Sequence, residues 1–227
     1  MKARGEKDFF TAREMGGMEE LVLEEARRRL AGARGSHAFD HSLRVLALSS
    51  RIGRAEGADP LVTRLAAILH DIGRPFEDES KGAVDHAEEG ARIAAEILAP
   101  LALSAQAREN VIHSVRCHRF RGGNVPETIE ARVLFDADKL DSIGAVGVAR
   151  AFQFAGEVGA RLHVTHAAPE ETLPYGEDDT GFREYSVKLR FIRDRMLTLT
   201  GRALARERHA FMEAFFARFL AEHEGER

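Results

Sequence analysis

Apolar residues recur at spacings of three and four over nearly the whole chain, and alternating, strand-like runs are almost absent. That periodicity restricts the chain to helix packed on helix. Glycine and proline punctuate it. The pattern predicts helices over 18–30, ending near Gly32, and over 38–56, stopped by Gly57. Asp59-Pro60 supplies an N-cap and a first helical residue for a helix over 61–72, which Gly73 and Pro75 close. Asp85 and Glu88 have the spacing of a capping box for 85–99, before Pro100. Further helices are expected over 104–117, 128–141, 146–155, 182–199 and 203–222, with 156–180 irregular. Met15 and Met18 each offer an alternative start, so residues 1–17 read as a disordered N-terminal extension and 18–222 as one domain. The expectation is an all-α, single-domain helical bundle.

Composition removes several classes. At 227 residues the chain is long enough for a hydrophobic core without disulfides. An apolar share of 44% with 31% charged residues argues against both disorder and a membrane protein. No apolar run approaches the roughly 20 residues of a transmembrane helix, so no membrane partner is expected. The single cysteine, Cys117, excludes an internal disulfide framework and Cys-rich zinc modules. The opening MKARGEKDFF lacks the apolar core of a signal peptide, which predicts a cytoplasmic protein. A net charge of −4 gives no electrostatic reason to expect duplex nucleic acid. Of the 33 basic residues 28 are Arg, the better bidentate phosphate ligand. The oligomeric state stays open.

The chemistry sits in three places. His41 falls in the first turn of the second helix. His70-Asp71 closes the apolar helix LVTRLAAIL, and Asp138 lies between Val133-Leu134 and Leu140, Ile143. A buried carboxylate without a counter-charge costs several kcal/mol, and a bound cation removes that cost. Imidazole nitrogen and carboxylate oxygen from separate helices suit an octahedral Mn²⁺, Fe²⁺ or Mg²⁺ with water in the open positions. Taken singly, each residue also reads as a helix-end polar group; the combination favours a metal site. Arg74 and Lys139 lie close by connectivity and could meet phosphate oxygens. Glu77 and Asp141 could orient water, although Glu77-Asp78 also reads as plain surface. His37 and His41 have the spacing of a zincin pair but no following Glu, and Arg119–Gly123 reads as a loop. No phosphate-binding glycine loop or nucleophile elbow is present.

The order His41, His70-Asp71, Asp138 resembles the signature of HD-domain metal-dependent phosphohydrolases. The flanks HAFDHSLRV (37–45), HDIGR (70–74), DADKLD (136–141), 144–154, GRALA (201–205) and RHAFM (208–212) resemble one bacterial branch, the YedJ/YpgQ-like proteins. The resemblance spans about residues 18–222. It implies an HD-type all-helical fold and a divalent cation held by His41, His70, Asp71 and Asp138. Mn²⁺ is the first expectation, with Mg²⁺, Fe²⁺, Co²⁺ or Ni²⁺ as alternatives. It also implies a hydrolase of phosphate esters or anhydrides, with nucleotide pyrophosphohydrolase activity proposed for this branch. Lys188 stands where the branch also has a lysine.

In the dinuclear HD phosphodiesterases, which the chain resembles less closely, histidines in the interval of His86, His113 and His118 hold a second metal. On one continuous helix His113 and His118 would lie about 140° apart and could not face the same ion. The expectation is therefore one ion, with His86, His113 and His118 lining the substrate pocket. The expected reaction is hydrolysis of a nucleoside triphosphate to monophosphate and pyrophosphate by a metal-activated water. Asp71, Asp141 and Glu77 are the candidate catalytic carboxylates; Arg74, Lys139 and Lys188 are the candidate phosphate ligands. Alternatives are a dinuclear phosphodiesterase or phosphomonoesterase, a nucleotide-sensing helical protein with an inert metal site, and a di-iron oxygenase.

Overall fold

In the computed structural model, which describes residues 12–31, 39–119 and 123–226, helix α3 (Pro60–Leu69) organises the rest. Asp59 accepts hydrogen bonds from the backbone N–H groups of Leu61 and Val62, and Pro60 fills the first helical position, so the helix starts where the sequence places it. Eight of its ten residues are buried. A helix apolar all round has to be central. Around it pack α1 (Ala12–Arg29), α2 (Phe39–Glu56), α6 (Ala105–Cys117) and α7 (Ile129–Asp141). α5 (His86–Leu98) pairs with α6, while α8 (Gly144–Glu157) and α10 (Leu199–His223) pack on α7 and on each other. Leu65, Ile68, Leu69, Ile93, Leu134, Leu140 and Met212 form the middle of the core. No strand occurs among the described residues, and the fold is all-α as the periodicity requires.

Three elements depart from the expected pattern. α1 begins at Ala12, inside the segment read as an extension; residues 1–11 lie outside the described residues, as do Gly32, His37 and Arg121-Gly122. Pro75 does not merely end a helix. It occupies the first turn of a short one, α4 (Arg74–Glu79), where a missing N–H is harmless. The single helix expected over 182–199 is broken into α9 (Gly181–Val187), a 3-10 turn over Leu189–Arg195, and the start of α10. Asp136 causes the break. Its buried carboxylate accepts hydrogen bonds from the N–H groups of Leu197 and Thr198 and from the Thr198 hydroxyl, which pulls that strip extended. Thr198 then caps α10 by accepting from Gly201 N–H.

One close approach bears on the site. A Cβ added at Gly73 would lie 2.2 Å from the carbonyl oxygen of His86 and 2.7 Å from the backbone nitrogen of Gly90. The end of α3 therefore meets the start of α5 backbone to backbone, and only glycine permits it.

Candidate metal centre

Five helices deliver one polar cluster into an otherwise apolar interior. His41 comes from the first turn of α2, His70 and Asp71 from the C-terminal end of α3, and His86 from the first residue of α5. His118 comes from the C-cap of α6 and Asp138 from α7. All four histidines and Asp71 are buried. Asp71 stands between two pairs. Its Oδ2 lies 3.7 Å from His41 Nε2 and 3.6 Å from His70 Nε2; its Oδ1 lies 3.5 Å from His86 Nε2 and 3.4 Å from His118 Nε2. Asp138 Oδ1 joins the first pair, 3.3 Å from His41 Nε2. Two groups of donors result, His41–His70–Asp138 and Asp71–His86–His118, each tight enough to hold an ion.

The ring tautomers show why these groups want cations. The Nδ1 atoms of His70 and His118 meet the carbonyl oxygens of Ala67 and Val115 at 2.8 and 2.6 Å. A carbonyl only accepts, so both Nδ1 atoms carry the proton and both Nε2 atoms present lone pairs inward. His41 Nδ1 faces Asp141 Oδ2 at 2.7 Å, with the same result. His86 Nδ1 lies 2.8 Å from Glu77 Oε2, close but without the alignment of a hydrogen bond. Nε2 then confronts Nε2 at 3.2 Å twice, between His41 and His70 and between His86 and His118. Facing lone pairs beside a carboxylate repel unless a cation lies among them. At His41 a proton can take that place: burial opposes charge on the ring, yet Asp138, Asp141 and Asp71 outweigh it and raise it to about 9, so a bound divalent ion would displace that proton. Burial instead lowers His70 to about 4, and burial with the nearby Arg74 lowers His86 to about 2, so both stay neutral, as metal ligands must be.

Asp141 and Glu77 hold ligands. The Asp141 carboxylate takes His41 Nδ1, Arg44 Nε at 2.8 Å and Arg150 at 2.7 Å. Burial pushes its pKa up, but His41 and Arg44 prevail and hold it at about 2. Glu77 takes His86, Arg74 at 2.6 Å and Arg119 at 3.0 Å. Each carboxylate thus lies against the Nδ1 side of a histidine ring, a placement suited to orienting that ring. Arg44, Arg119 and Arg150 were missed as site residues, because nothing in the sequence says which of its 28 arginines reach these two acids.

The remaining sites sort by distance. Lys139 Nζ lies 2.6 Å from Asp138 Oδ2; with His41 it keeps Asp138 well below the usual carboxylate range despite burial. Arg74 reaches Asp71 Oδ1 at 3.3 Å, beside the cluster but engaged by two acids. His113 is a correction: its Nε2 accepts the Glu127 N–H, and the ring contacts Cys117 rather than the cluster. The partner of His118, which caps α6, is His86 from another helix. Lys188 is a second correction: it is exposed just past the end of α9 and pairs with Glu184 one turn back.

The HD-domain profile matches residues 38–143, the stretch from just before His41 to just after Asp138. YpgQ of Bacillus subtilis is 35% identical over 187 residues, which cover 79% of this chain and 80% of YpgQ. The chain belongs to the HD-domain family. Its fold follows that of HD structures: the crystal structure of YpgQ in complex with ADP superposes with a TM-score of 0.71 at 29% identity, covering 92% of this chain and 96% of that one. A predicted HD superfamily hydrolase from an uncultured Thermotogales bacterium gives 0.65 at 28% identity, over 89% and 91% of the two chains. Ribonuclease Y of Alkaliphilus metalliredigens is 32% identical over 142 residues, 63% of this chain but only 27% of that much longer protein. As an HD-domain protein with its histidines and aspartates converging as described, the chain is a metal-dependent phosphohydrolase.

Proposed function

We propose that this enzyme hydrolyses the phosphoanhydride of a nucleotide, a nucleoside triphosphate going to monophosphate and pyrophosphate. The observation that carries the reading is the ADP complex of YpgQ, a relative that aligns along most of its length with this chain. His41, His70 and Asp138 would hold one divalent ion, and His86 and His118 a second, with Asp71 shared between them. Four imidazoles in the donor set favour Mn²⁺, Fe²⁺, Co²⁺ or Ni²⁺ over Mg²⁺, and Mn²⁺ suits the mixture of nitrogen and carboxylate best. Divalent ions bound there supply a water of lowered pKa and polarise a phosphoryl oxygen.

The chain's own groups divide the rest. Asp141 fixes the ring of His41 through its Nδ1, and Glu77 lies against the Nδ1 side of His86, so ligand geometry is set before substrate arrives. Lys139, held beside Asp138, offers an ammonium to the phosphate oxygens, and Arg74 adds positive potential from the other side of Asp71. Of the three candidate acids only Asp71 has its oxygens among the Nε2 atoms, so it would bind and position the ions whose water attacks.

Phosphodiester hydrolysis is the second reading, favoured by the carboxylate shared between two donor groups and by the likeness to ribonuclease Y. A product screen separates them. Manganese-loaded enzyme is offered nucleoside triphosphates, dinucleotides, cyclic nucleotides and short RNA. Release of pyrophosphate from triphosphates alone supports the anhydride reading; cleavage of RNA or cyclic nucleotides at higher kcat/KM replaces it with the diesterase.

A further inference from the structure

Beside the metal centre lies a cavity of about 480 Å³, within the range of small-ligand pockets. Its lining includes the apolar Val125, Pro126, Phe135, Met196 and Leu197, with Arg119, Asp194 and Arg195 as its charged members. Two contacts join the cavity to the metal centre. Lys139 Nζ, the group on Asp138, sits 5.4 Å from the centroid of the Phe135 ring. Arg119 reaches from the lining to Glu77, which lies against His86. The Leu197 strip is fixed rather than loose: the N–H of Leu197 donates to Asp136 at 2.8 Å, and Asp136 shares helix α7 with Asp138. Val125 and Leu197 are nonetheless exposed, at 69% and 37%. Apolar side chains left open beside a phosphate-binding centre mark a place for the flat apolar part of a phosphorylated ligand.

We infer that this cavity receives the base of the nucleotide whose phosphates lie at the metal centre, with Phe135, Val125 and Leu197 determining the preference for nucleotides over bare polyphosphates. The inference rests on the nucleotide reading above. Lys139, between Asp138 and Phe135, stands where phosphate and nucleoside join. Arg119 can lie against a base through its planar guanidinium while its charge stays on Glu77 and Asp85.

Calorimetric titration of the manganese-loaded full-length protein with ADP and with inorganic pyrophosphate tests this without requiring turnover. The wild-type protein should bind ADP more tightly than pyrophosphate. Losing one apolar lining side chain in Leu197→Asn, or another in Val125→Asn, should reduce the ratio of the two affinities by about tenfold, the worth of one buried aliphatic side chain. Both residues are exposed and Leu197 is bonded through its backbone, so the melting temperature should hold, and Val125→Asn stands in if Leu197→Asn loosens the fold. An unchanged ratio in both variants, or wild-type ADP binding no tighter than pyrophosphate, overturns the pocket. If the ratio shifts as expected while no triphosphate is hydrolysed, the pocket stands and the anhydride reaction fails.

Discussion

Asp71 lies among four imidazoles and turns one oxygen to each pair, so its removal touches both donor groups at once. We expect Asp71→Ala to stay folded, to lose most bound metal and to lower kcat by at least ~100-fold, since the water-activating ions go with it. A folded variant that keeps metal and turnover would remove the residue from the centre. Asp141 acts one step further out. Asp141→Asn keeps its size but gives up the charge that holds His41 Nδ1–H, so metal affinity or activity should fall by roughly 10- to 100-fold. The diagnostic is metal dependence: excess Mn²⁺ should restore part of the Asp141→Asn activity and none of the Asp71→Ala activity. Equal response of the two variants to added Mn²⁺ would mean that Asp141 does more than orient a ring. At this scale the family resemblance named His41, His70, Asp71 and Asp138 together, a carboxylate in an apolar helix gave a physical reason for the two acids, and the structure brings all four side chains together. The pairing of His86 with His118 could not, because it depends on how α5 meets α6, and helical spacing speaks only within one helix. Asp141 and Glu77 were found by proximity but their histidine partners were not, since spacing along a helix does not say which neighbour a carboxylate turns to.

The segment over 158–180 is tied to the C-terminal helix by rings. His163 lies edge-on to Phe182, Phe219 and His223, at centroid distances of 5.3, 5.8 and 4.8 Å. Burial first, and the neighbouring His223 second, lower its pKa below 6.5, with Glu224 opposing them. The sign follows from the neutral ring being the one the fold favours. Stability from this contact is complete above the unfolded value of 6.5 and is lost as pH falls through it towards the lower folded value. Amide exchange over 158–180 should therefore quicken as pH drops below about 6.5, after correction for intrinsic exchange, and His163→Phe should flatten the dependence. Exchange in this segment that stays level in the wild-type protein across that range rejects the account. Elements were legible where caps are local: Asp59, Asp85, Ser104 and Thr128 each accept from the first turn of the helix they open. The break before α10 was not, because Phe182, Tyr185, Leu189, Ile192 and Met196 keep helical spacing straight through it. What interrupts the helix is Asp136, from far along the chain.

The whole molecule assembles its centre from five helices, and none of the described helices is long and apolar enough to cross a membrane. Two donor groups sharing one carboxylate lead us to expect two divalent ions per chain in protein purified without chelator, where the spacing argument on His113 and His118 led to one. Elemental analysis with anomalous scattering checks this; a single peak among His41, His70 and Asp138 at full activity would restore the one-ion reading. The fold class followed from periodicity alone, whereas the size of the site came from a contact no periodicity reports. At Gly73 the chain carrying Asp71 rests on the chain carrying His86 with no side chain between them. Side chains come in graded sizes and let selection adjust a spacing by small increments; bare backbone has one thickness. Exchanges at Lys139, Leu197 or Val125 can re-tune which phosphate compound is accepted. The span between the two halves of the centre is different: descendants of this chain inherit it whole or must rebuild the crossing of α3 and α5 to escape it.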